Sequence, residues 1–365
     1  FFDPHEKTGP RRHLMDEILG LAGHDRVGAL QRDVIEPIRV GRPRCRLVLK
    51  RVGAALVTLL IVSILIFICC SVMPGNAVMV ILGKSGTPET IAALEAQLGL
   101  DRPLYIQYLS WLNGMIHGDF GHSVVAMAHQ QPDTSIASTL MGPLRNSLIL
   151  GGITALLLIP LTLLLGGIAG VKADKPLDHV ISIPTLVLAG LPEFVTGALL
   201  IFVFFSRLHL LPPVSLVAPD ASPLSTPKIL ILPVLTLLAV AVGSGVRQVR
   251  LGMIDVLRTD YVQFARLNGV RERRVLALYG MRNAVANSIQ TIAQNLQYLV
   301  GGIIVVESVF TYPGLGVYLV NAVLARDTNQ VLAASMILAA LYTLINIIAD
   351  LLVVFLVPKL RTGLV

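Results

Sequence analysis

The chain has 365 residues, of which 54% are hydrophobic and 14% are charged, and its mean hydropathy is +0.75. This hydropathy exceeds what a soluble core of the same size requires, and it indicates an integral membrane protein. The formal net charge of +7 does not indicate nucleic-acid binding, because no basic stripe is interleaved with aromatic residues that would stack on bases.

The hydropathy pattern predicts six membrane-spanning helices, because about 20 apolar residues are needed to cross about 30 Å of hydrocarbon. Runs of this length lie near residues 52–73, 147–171, 180–205, 229–246, 286–309 and 331–357. The first run has the length of a full span and lacks a small-x-small cleavage pattern, so we expect a retained anchor. The predicted fold class is an all-α polytopic membrane protein with six transmembrane helices.

The distribution of lysine and arginine predicts the orientation of these helices. With the amino terminus inside, the cytoplasmic segments hold 17 basic residues and the outer segments hold 6. Positive charges are retained on the cytoplasmic side during insertion, so we expect both termini in the cytoplasm. Residues 1–41 form a polar cytoplasmic extension, either a solvated tail or a segment that lies on the membrane or on a partner. Residues 42–365 form the six-span domain.

The outer loop over residues 74–145 is too long to be a simple turn. Apolar residues at helical spacing in this loop predict short helices at the outer membrane surface, with Trp111 at the interface. Within it, GKSGT at 83–87 is not a phosphate-binding loop, because the pattern requires glycine at position 78, which is Val78.

The cytoplasmic loop over residues 247–285 contains the charged stretch, residues 260–279, which reads DYVQFARLNGVRERRVLALY. Its apolar residues recur at helical spacing on both sides of Gly269, which predicts two short helices. Glycine adopts the left-handed conformation that ends a helix, so we expect Gly269 to form a bend between them. The four arginines from Arg266 to Arg274 keep the stretch out of the membrane. The chain is therefore expected to present a compact helical knob to the cytosol.

One face of the fifth apolar run carries side-chain amides, which we call the amide stripe. The stripe has steps of three and four residues and consists of Asn283, Asn287, Gln290, Gln294, Gln297 and Gly301. Amides that face lipid lack hydrogen-bond partners, so this face is expected to contact protein or water. Two interpretations follow: the stripe lines a translocation pathway, or it is a hydrogen-bonded seam between helices.

Two acids lie within or at the edge of the apolar runs. Asp350 follows Asn346 by one helical turn near the cytoplasmic end of the sixth run, and an acid there needs a partner. We expect a structural pair with a cytoplasmic arginine, with proton coupling as the alternative. Glu307 lies near the outer end of the fifth run, where it is expected to cap the turn TYPGLG at 311–316.

The remaining polar residues do not match a catalytic or metal-binding pattern. The spacing of His117, His122 and His129 fits no compact ligand set, so a hydrated loop is expected. No nucleophile, base and orienting acid occur at a recognisable spacing. We therefore expect no catalytic residues, no metal and no cofactor on this chain.

Several blocks of the sequence resemble the permease subunits of peptide-type ABC importers, over about residues 44–361. The cytoplasmic loop of that family has the pattern E-A-A-x-x-x-G, which Ala265 and Gly269 match. The peptide-permease features R-R-V and R-N-A correspond to residues 273–275 and 282–284. The blocks LGLDRPLYIQYLSWLNGMIHGDFGHS at 98–123 and VVESVFTYPGLGVYLVNAVLARD at 305–327 also look like segments of this group.

The resemblance implies a type I ABC importer permease in a prokaryotic cytoplasmic membrane. Such a subunit pairs with a second, homologous permease, contacts one or two ABC ATPase subunits, which hold ATP and Mg, and receives cargo from an extracytoplasmic substrate-binding protein. The implied cargo is a dipeptide or oligopeptide, with haem, a nickel chelate or glutathione as alternatives. The implied ATPase-coupling residues are Tyr261, Phe264, Ala265, Arg266, Gly269, Arg273 and Arg274. The proposed translocation-pathway residues are Asn287, Gln290, Gln294, Gln297 and Gly301.

Two other classes of function stay open at this point. An ion-coupled secondary transporter or channel would use Asp350 and the amide stripe, and would contain paired interrupted helices in two related halves. A membrane anchor that assembles other proteins would use the stripe only for helix packing. No related halves are visible in the sequence.

Overall fold

The computed structural model describes residues 43–72, 102–128, 135–218 and 221–356, together with residues 87, 89, 96, 99 and 131. The side chains of 43–47, 286, 287, 290 and 352–356 are outside this description. The predicted extension over residues 1–41, most of the GKSGT sequence, and the chain end after residue 356 also lie outside the described residues.

The described residues form twelve α-helices. They are α1 Pro43–Val72, α2 Leu104–Ile116, α3 Val124–Ala128, α4 Ile136–Val171, α5 Pro176–Ala189, α6 Glu193–Ile201, α7 Lys228–Leu257, α8 Asp260–Leu267, α9 Glu272–Arg274, α10 Arg282–Val309, α11 Leu315–Leu324 and α12 Thr328–Leu356. One π-helical segment, Phe202–Arg207, extends α6, and another, Val275–Met281, joins α9 to α10. Extended structure within the described ranges is limited to an isolated bridge between His122 and Ser135.

Five of these helices, α1, α4, α7, α10 and α12, are long and apolar enough to cross a membrane. The third predicted run, residues 180–205, is not one continuous helix. It is divided between α5 and α6, which are bent by 112° relative to each other. Pro192 lies at this break, lacks a backbone N–H, and disfavours helical geometry at Leu191 before it. By length and apolar composition, the described residues therefore contain five candidate spans, or six if the bent pair is counted as one.

Two of the spanning helices are longer than the apolar runs predicted. The helix α4 begins at Ile136, eleven residues before the predicted span, and α7 continues to Leu257, eleven residues beyond it. Hydropathy marks only the apolar part of a helix, whereas the backbone hydrogen bonds continue through its polar ends. The extended end of α7 leads directly into the charged stretch.

The helix α7 is the central helix, and 72% of its most apolar 18-residue segment is buried. It packs most extensively against α4, α10 and α5. A Cβ atom at Gly166 of α4 would lie 2.6 Å from Cβ of Val249, and one at Gly170 would lie 2.6 Å from Cβ of Met253. These two glycines, one turn apart, let α4 approach α7 as small residues do in membrane helix packing.

The exposed surface of the molecule is strongly apolar. On α1, for example, the side chain of Leu56 is 62% exposed, and on α4 that of Leu156 is 73% exposed. A soluble monomer rarely exposes large contiguous apolar areas. This surface is suited to contact with lipid or with other membrane helices.

Candidate translocation cavity and coupling element

An open cavity of about 770 Å³ is bordered by residues of α1, α6, α10 and α12. This volume falls in the range of about 300–1,000 Å³ that is usual for ligand-binding cavities. Polar side chains contribute to its wall on every side, namely Thr58, Glu193, Gln294, Gln297, Tyr298, Tyr342 and Thr343. The cavity can therefore hold water or a polar solute within the apolar part of the molecule.

The structure places part of the amide stripe on this cavity. Gln294 is exposed, Gln297 is half-buried and Gly301 is exposed, and all three line the cavity. A Cβ atom at Gly301 would have no neighbour within 4 Å, so the glycine leaves the wall open. The side chains of Asn287 and Gln290 are outside the described residues, although both positions belong to α10.

Asn283, the first residue of the stripe, has a different environment. Its Nδ2 donates to the hydroxyl of Tyr261, at 3.1 Å, and to the carbonyl of Tyr279, at 2.8 Å. It therefore joins the start of α10 to α8 instead of lining the cavity.

A partly buried polar cluster lies on another face of α10 and was not predicted. Ser244 of α7 donates to Oδ1 of Asn295, at 2.7 Å. A Cβ atom at Gly245 would lie 2.6 Å from Cγ2 of Thr162 and 2.9 Å from Nδ2 of Asn295. The helix α10 thus has one polar face on the cavity and polar packing contacts on another. The role of the amide stripe in transport stays a prediction.

The charged stretch begins with α8 and turns at Gly269. Gly269 has a φ of +76°. Its N–H donates to the carbonyl of Arg266, at 3.0 Å, and the N–H of Val270 donates to the carbonyl of Ala265, at 3.1 Å. This is the Schellman motif, in which a left-handed glycine satisfies the last carbonyls of a helix. The expected left-handed bend at Gly269 is present.

A small apolar cluster holds α8 against the neighbouring helices. It contains Val256 of α7, Val262 and Ala265 of α8, and Val275 of the π-helical segment. The opposite side of α8 is apolar but exposed: the exposed fraction is 45% for Tyr261, 68% for Phe264 and 86% for Leu267. Within α8, Ala265 therefore faces inward, whereas the larger side chains of Tyr261, Phe264 and Leu267 face outward.

The charges of the stretch are on its surface. Arg266 donates through Nη2 to Oε1 of Glu272, at 2.7 Å, and through Nε to Oε2, at 3.2 Å, which closes the bend with a bidentate pair. Both partners are exposed, and exposed ion pairs contribute about 0–1 kcal/mol. Arg273 and Arg274 are also exposed. The stretch presents large apolar side chains beside positive charge.

The second half of the charged stretch differs from the expected short, separate helix. The helix α9 continues through the π-helical segment Val275–Met281 into α10 without a break. A π-helical segment inserts extra residues into a helix while its backbone remains hydrogen-bonded. The stretch is therefore one short helix, α8, bent onto the beginning of a long one.

Glu307 is fully buried at the far end of α10. Its Oε1 accepts a hydrogen bond from the hydroxyl of Ser147, at 2.5 Å, and its Oε2 accepts one from the N–H of Gly316, at 2.7 Å. A Cβ atom at Gly314 would lie 2.0 Å from Oε1. The carboxyl group fills the space above the first turn of α11, where a helix binds an anion favourably.

The rest of this turn is also hydrogen-bonded, and the neighbouring Tyr312 is fully buried. Its hydroxyl donates to the carbonyl of Asn146, at 2.9 Å, and Nδ2 of Asn146 donates to the carbonyl of Pro313, at 2.9 Å. Burial raises the pKa of the Tyr312 hydroxyl above its ordinary value. The turn between α10 and α11 is thus fixed to α4 by buried polar contacts.

Asp350 lies half-buried on α12, together with the half-buried Asn346. The sequence analysis did not predict a partly buried ion pair between another aspartate, Asp178, and Arg250. Asp178, in the first turn of α5, is 1% exposed and accepts from Nε and Nη2 of Arg250, both at 2.6 Å. Ser182 also donates to Asp178. This pair fixes the start of α5 to the extended end of α7.

Another missed acid, Asp327, organises the segment before α12. It is fully buried and accepts hydrogen bonds from the hydroxyl of Ser123 and from the backbone N–H of Val124. It also accepts from the N–H of Gln330 in the first turn of α12. The only sequence signal was an acid directly before a predicted helix, which is typical of a helix cap.

The described residues contain no group of three potential metal ligands. Nδ1 of His117 lies 2.7 Å from the carbonyl of Asn113. His129 lies outside the described residues. Trp111 packs beside Tyr108 and against Phe67 of α1, with ring centroids 6.0 and 5.9 Å from its own.

These features define a class: a multi-pass helical membrane protein with a cavity that has polar side chains in its wall and an exposed, bent helical element beyond its spanning helices. Comparisons with known proteins then identify the family. The model of the binding-protein-dependent transport system inner membrane component matches residues 162–362. The model of the N-terminal part of such membrane components matches residues 44–131. The chain belongs to this family of transport-system membrane components, and the predicted family is confirmed.

Known relatives are similar to this chain over most of their length. A putative peptide transport system permease protein of Brucella abortus (strain 2308) is 33% identical over 315 residues, covering 86% of this chain and 98% of the relative. An oligopeptide transport system permease protein of Bacillus subtilis is 29% identical over 316 residues, with the same coverage. A metal-staphylopine import system permease protein of Staphylococcus aureus is 29% identical over 322 residues, covering 87% and 99%.

Proposed function

We propose that this chain is one permease of a heterodimeric, ATP-driven importer that moves dipeptides or oligopeptides into a prokaryotic cell. In this proposal the chain forms half of the translocation pathway. A homologous permease forms the other half, one or two separate ATPase subunits bind and hydrolyse ATP, and an extracytoplasmic binding protein delivers the cargo. The names of the relatives from Brucella abortus and Bacillus subtilis support the peptide cargo.

The proposed topology has six spans and both termini in the cytoplasm. The spans are α1, α4, the bent pair α5 and α6, α7, α10 and α12. This arrangement puts the charged stretch and the start of α5 on the cytoplasmic side, and the turn after Glu307 on the outer side. The excess of positive charge in the cytoplasmic segments supports it.

The observation that carries the proposal is the exposed apolar face of α8. Leu267 is 86% exposed and Phe264 is 68% exposed on a helix that the charges of the same stretch keep out of the membrane. Large apolar side chains exposed to water mark an interaction site. In the proposed complex this face lies in a groove of the ATPase, with Tyr261 and Arg266, Arg273 and Arg274 at its edge.

The connections of α8 provide a route for the motion. The cluster of Val256, Val262, Ala265 and Val275 attaches α8 to α7 and to the segment leading into α10. A displacement of α8 by the ATPase therefore moves two helices that pack against each other. One of them, α10, carries Gln294 and Gln297 on the cavity wall. ATP-driven closure of the ATPase is thereby coupled to the shape of the pathway.

Purification of the chain with its native partners, followed by reconstitution into proteoliposomes, tests the proposal. We expect a second permease and an ATPase to co-purify, and peptide uptake to require both ATP and the binding protein. An ATPase variant that cannot hydrolyse ATP is the matched control and should abolish uptake. ATP-independent uptake would favour an ion-coupled secondary transporter, and selective uptake of metal chelates would replace peptide as the cargo.

A variant of the cavity wall tests the pathway itself. Gln294→Leu replaces an exposed amide on the cavity with an apolar side chain of similar size, so peptide uptake should fall while the ATPase still binds. Gln131→Leu, at an exposed position that does not line the cavity, is a control for the same exchange elsewhere in the chain. Unchanged uptake by Gln294→Leu would favour the helix-packing interpretation of the amide stripe.

A further inference from the structure

The wall of the cavity carries a negative charge, on Glu193, that the proposed function does not explain. Of the described residues that line it, only Glu193 carries a charge at neutral pH; the others are amides, hydroxyl-bearing side chains, glycines and apolar residues. An ionisable residue in the membrane interior is costly and usually serves a function. Glu193 is half-buried and reaches the open space of the cavity.

The position of Glu193 is built by two features of the fold. It is the first residue of α6, immediately after the break at which α5 and α6 bend by 112°. Its side chain crosses the surface of α10 at Gly302, where a Cβ atom would lie 3.3 Å from Oε1 of Glu193. The break in the helix and the glycine together bring the carboxylate onto the cavity wall.

The hydrogen bonds of Glu193 leave part of the carboxylate available to a solute. The hydroxyl of Tyr298 donates to Oε1, at 2.5 Å, which fixes the orientation of the group. In the described part of the chain, no positively charged side chain pairs with this carboxylate. A cation that entered the cavity would meet the negative charge, the side-chain amide oxygens of Gln294 and Gln297, and the aromatic ring of Tyr298.

We infer that Glu193 binds the protonated amino group of the cargo, most simply the free amino terminus of a peptide, as the cargo passes through the cavity. This inference rests on the proposed function, because it specifies which chemical group of a peptide the permease itself recognises. The neutral polar residues of the same wall donate hydrogen bonds to the peptide backbone or accept hydrogen bonds from it. Selection for a free amine would then occur in the permease as well as in the binding protein.

The test measures equilibrium binding of labelled alanine tripeptide and of its N-acetylated form to the purified permease–ATPase complex, without the binding protein. The loss of one charge-assisted contact corresponds to about a 10-fold change in affinity. We expect the wild-type complex to bind the free-amine form at least about 10-fold more tightly. Glu193→Gln, which keeps the size of the side chain, should weaken that binding about 10-fold and leave binding of the acetylated form unchanged.

Two further variants separate charge from structure. Tyr298→Phe removes the orienting hydroxyl but retains the carboxylate, so the preference for the free amine should persist in a weaker form. Asp255→Asn removes the same charge at an exposed position on α7 outside the cavity and should not alter the preference. ATP hydrolysis by each complex verifies that the variant is assembled.

The outcomes distinguish this inference from the proposed function. Equal affinity of the wild-type complex for both tripeptides, or the same preference in Glu193→Gln, overturns the inference. So does the absence of tripeptide binding in a complex that imports the tripeptide. The proposed function fails separately, if reconstituted wild-type complex with its binding protein imports no peptide at all.

Discussion

At one end of α10 a buried carboxyl group fixes the following turn, whereas at the other end the polar contact between α8 and the segment before α10 is an exposed ion pair beside a small buried apolar cluster. Glu307 is fully buried and bonded to Ser147 and Gly316. By contrast, Arg266 and Glu272 form their pair at the surface. Buried polar networks specify one arrangement strongly, while exposed pairs do so weakly. The difference indicates a fixed anchor at one end of α10 and a replaceable contact surface at the other.

Removal of the buried carboxyl group should have the largest effect on stability. Glu307→Ala leaves the hydroxyl of Ser147 and the N–H of Gly316 without their acceptor, so the free energy of unfolding should fall by about 3–5 kcal/mol. Denaturant unfolding of the detergent-purified protein measures this change. Ser308→Ala, at the exposed neighbouring position, is the control and should change it by less than about 0.5 kcal/mol. A similar loss of stability in both variants would contradict the claim that the carboxyl group of Glu307 fixes this turn.

Gly269→Val tests the opposite end and should have an intermediate effect. No neighbour lies within 4 Å of a Cβ atom at this position, but the φ of +76° is unfavourable for a β-branched residue. The expected loss of stability is about 1–2 kcal/mol. Because the bend positions α8, ATP hydrolysis should continue while peptide uptake per ATP decreases. Gly152→Val on α4, where a Cβ atom also has no neighbour within 4 Å, φ is not positive and the position does not line the cavity, is the matched control for added volume. Normal coupling in Gly269→Val would argue against the bend as a transmitting element.

The surface ion pair should have the smallest effect. Arg266→Ala and Glu272→Ala are each expected to change the free energy of unfolding by less than about 1 kcal/mol. A double-mutant cycle isolates the interaction between the two side chains, and the coupling should decrease at high salt. A coupling energy as large as the effect of Glu307→Ala would remove the contrast between the two ends.

Much of the fold was accessible from the sequence because membrane helices are defined by long apolar runs. The break in the third run was not, since the segment from Leu186 to Phe202 is apolar on both sides of Pro192. Proline alone is an uncertain signal here, because Pro160 and Pro184 lie inside continuous helices. Whether a proline interrupts a helix depends on how neighbouring groups satisfy the freed carbonyl.

In the candidate site too, local features were predictable from the sequence and features that depend on distant contacts were not. Gly269 was predictable because its role is local, and the left-handed turn involves only residues within a few positions. The pair of Asp178 and Arg250 joins residues 72 positions apart, and no periodicity links them. Glu193 carried a usable signal, as an acid within an apolar run, but its place on the cavity depends on the bend after α5.

The central claim is that the exposed apolar face of α8 is the contact with a separate ATPase, and cross-linking tests it most directly. In a chain whose native cysteines are replaced by serine, Phe264→Cys should form a cross-link to the co-purified ATPase through a short bifunctional reagent. Leu324→Cys, at a position 77% exposed at the end of α11, should form none. We expect the Phe264→Cys cross-link to block peptide uptake in proteoliposomes. Cross-linking to the ATPase from Leu324→Cys and not from Phe264→Cys would contradict the account.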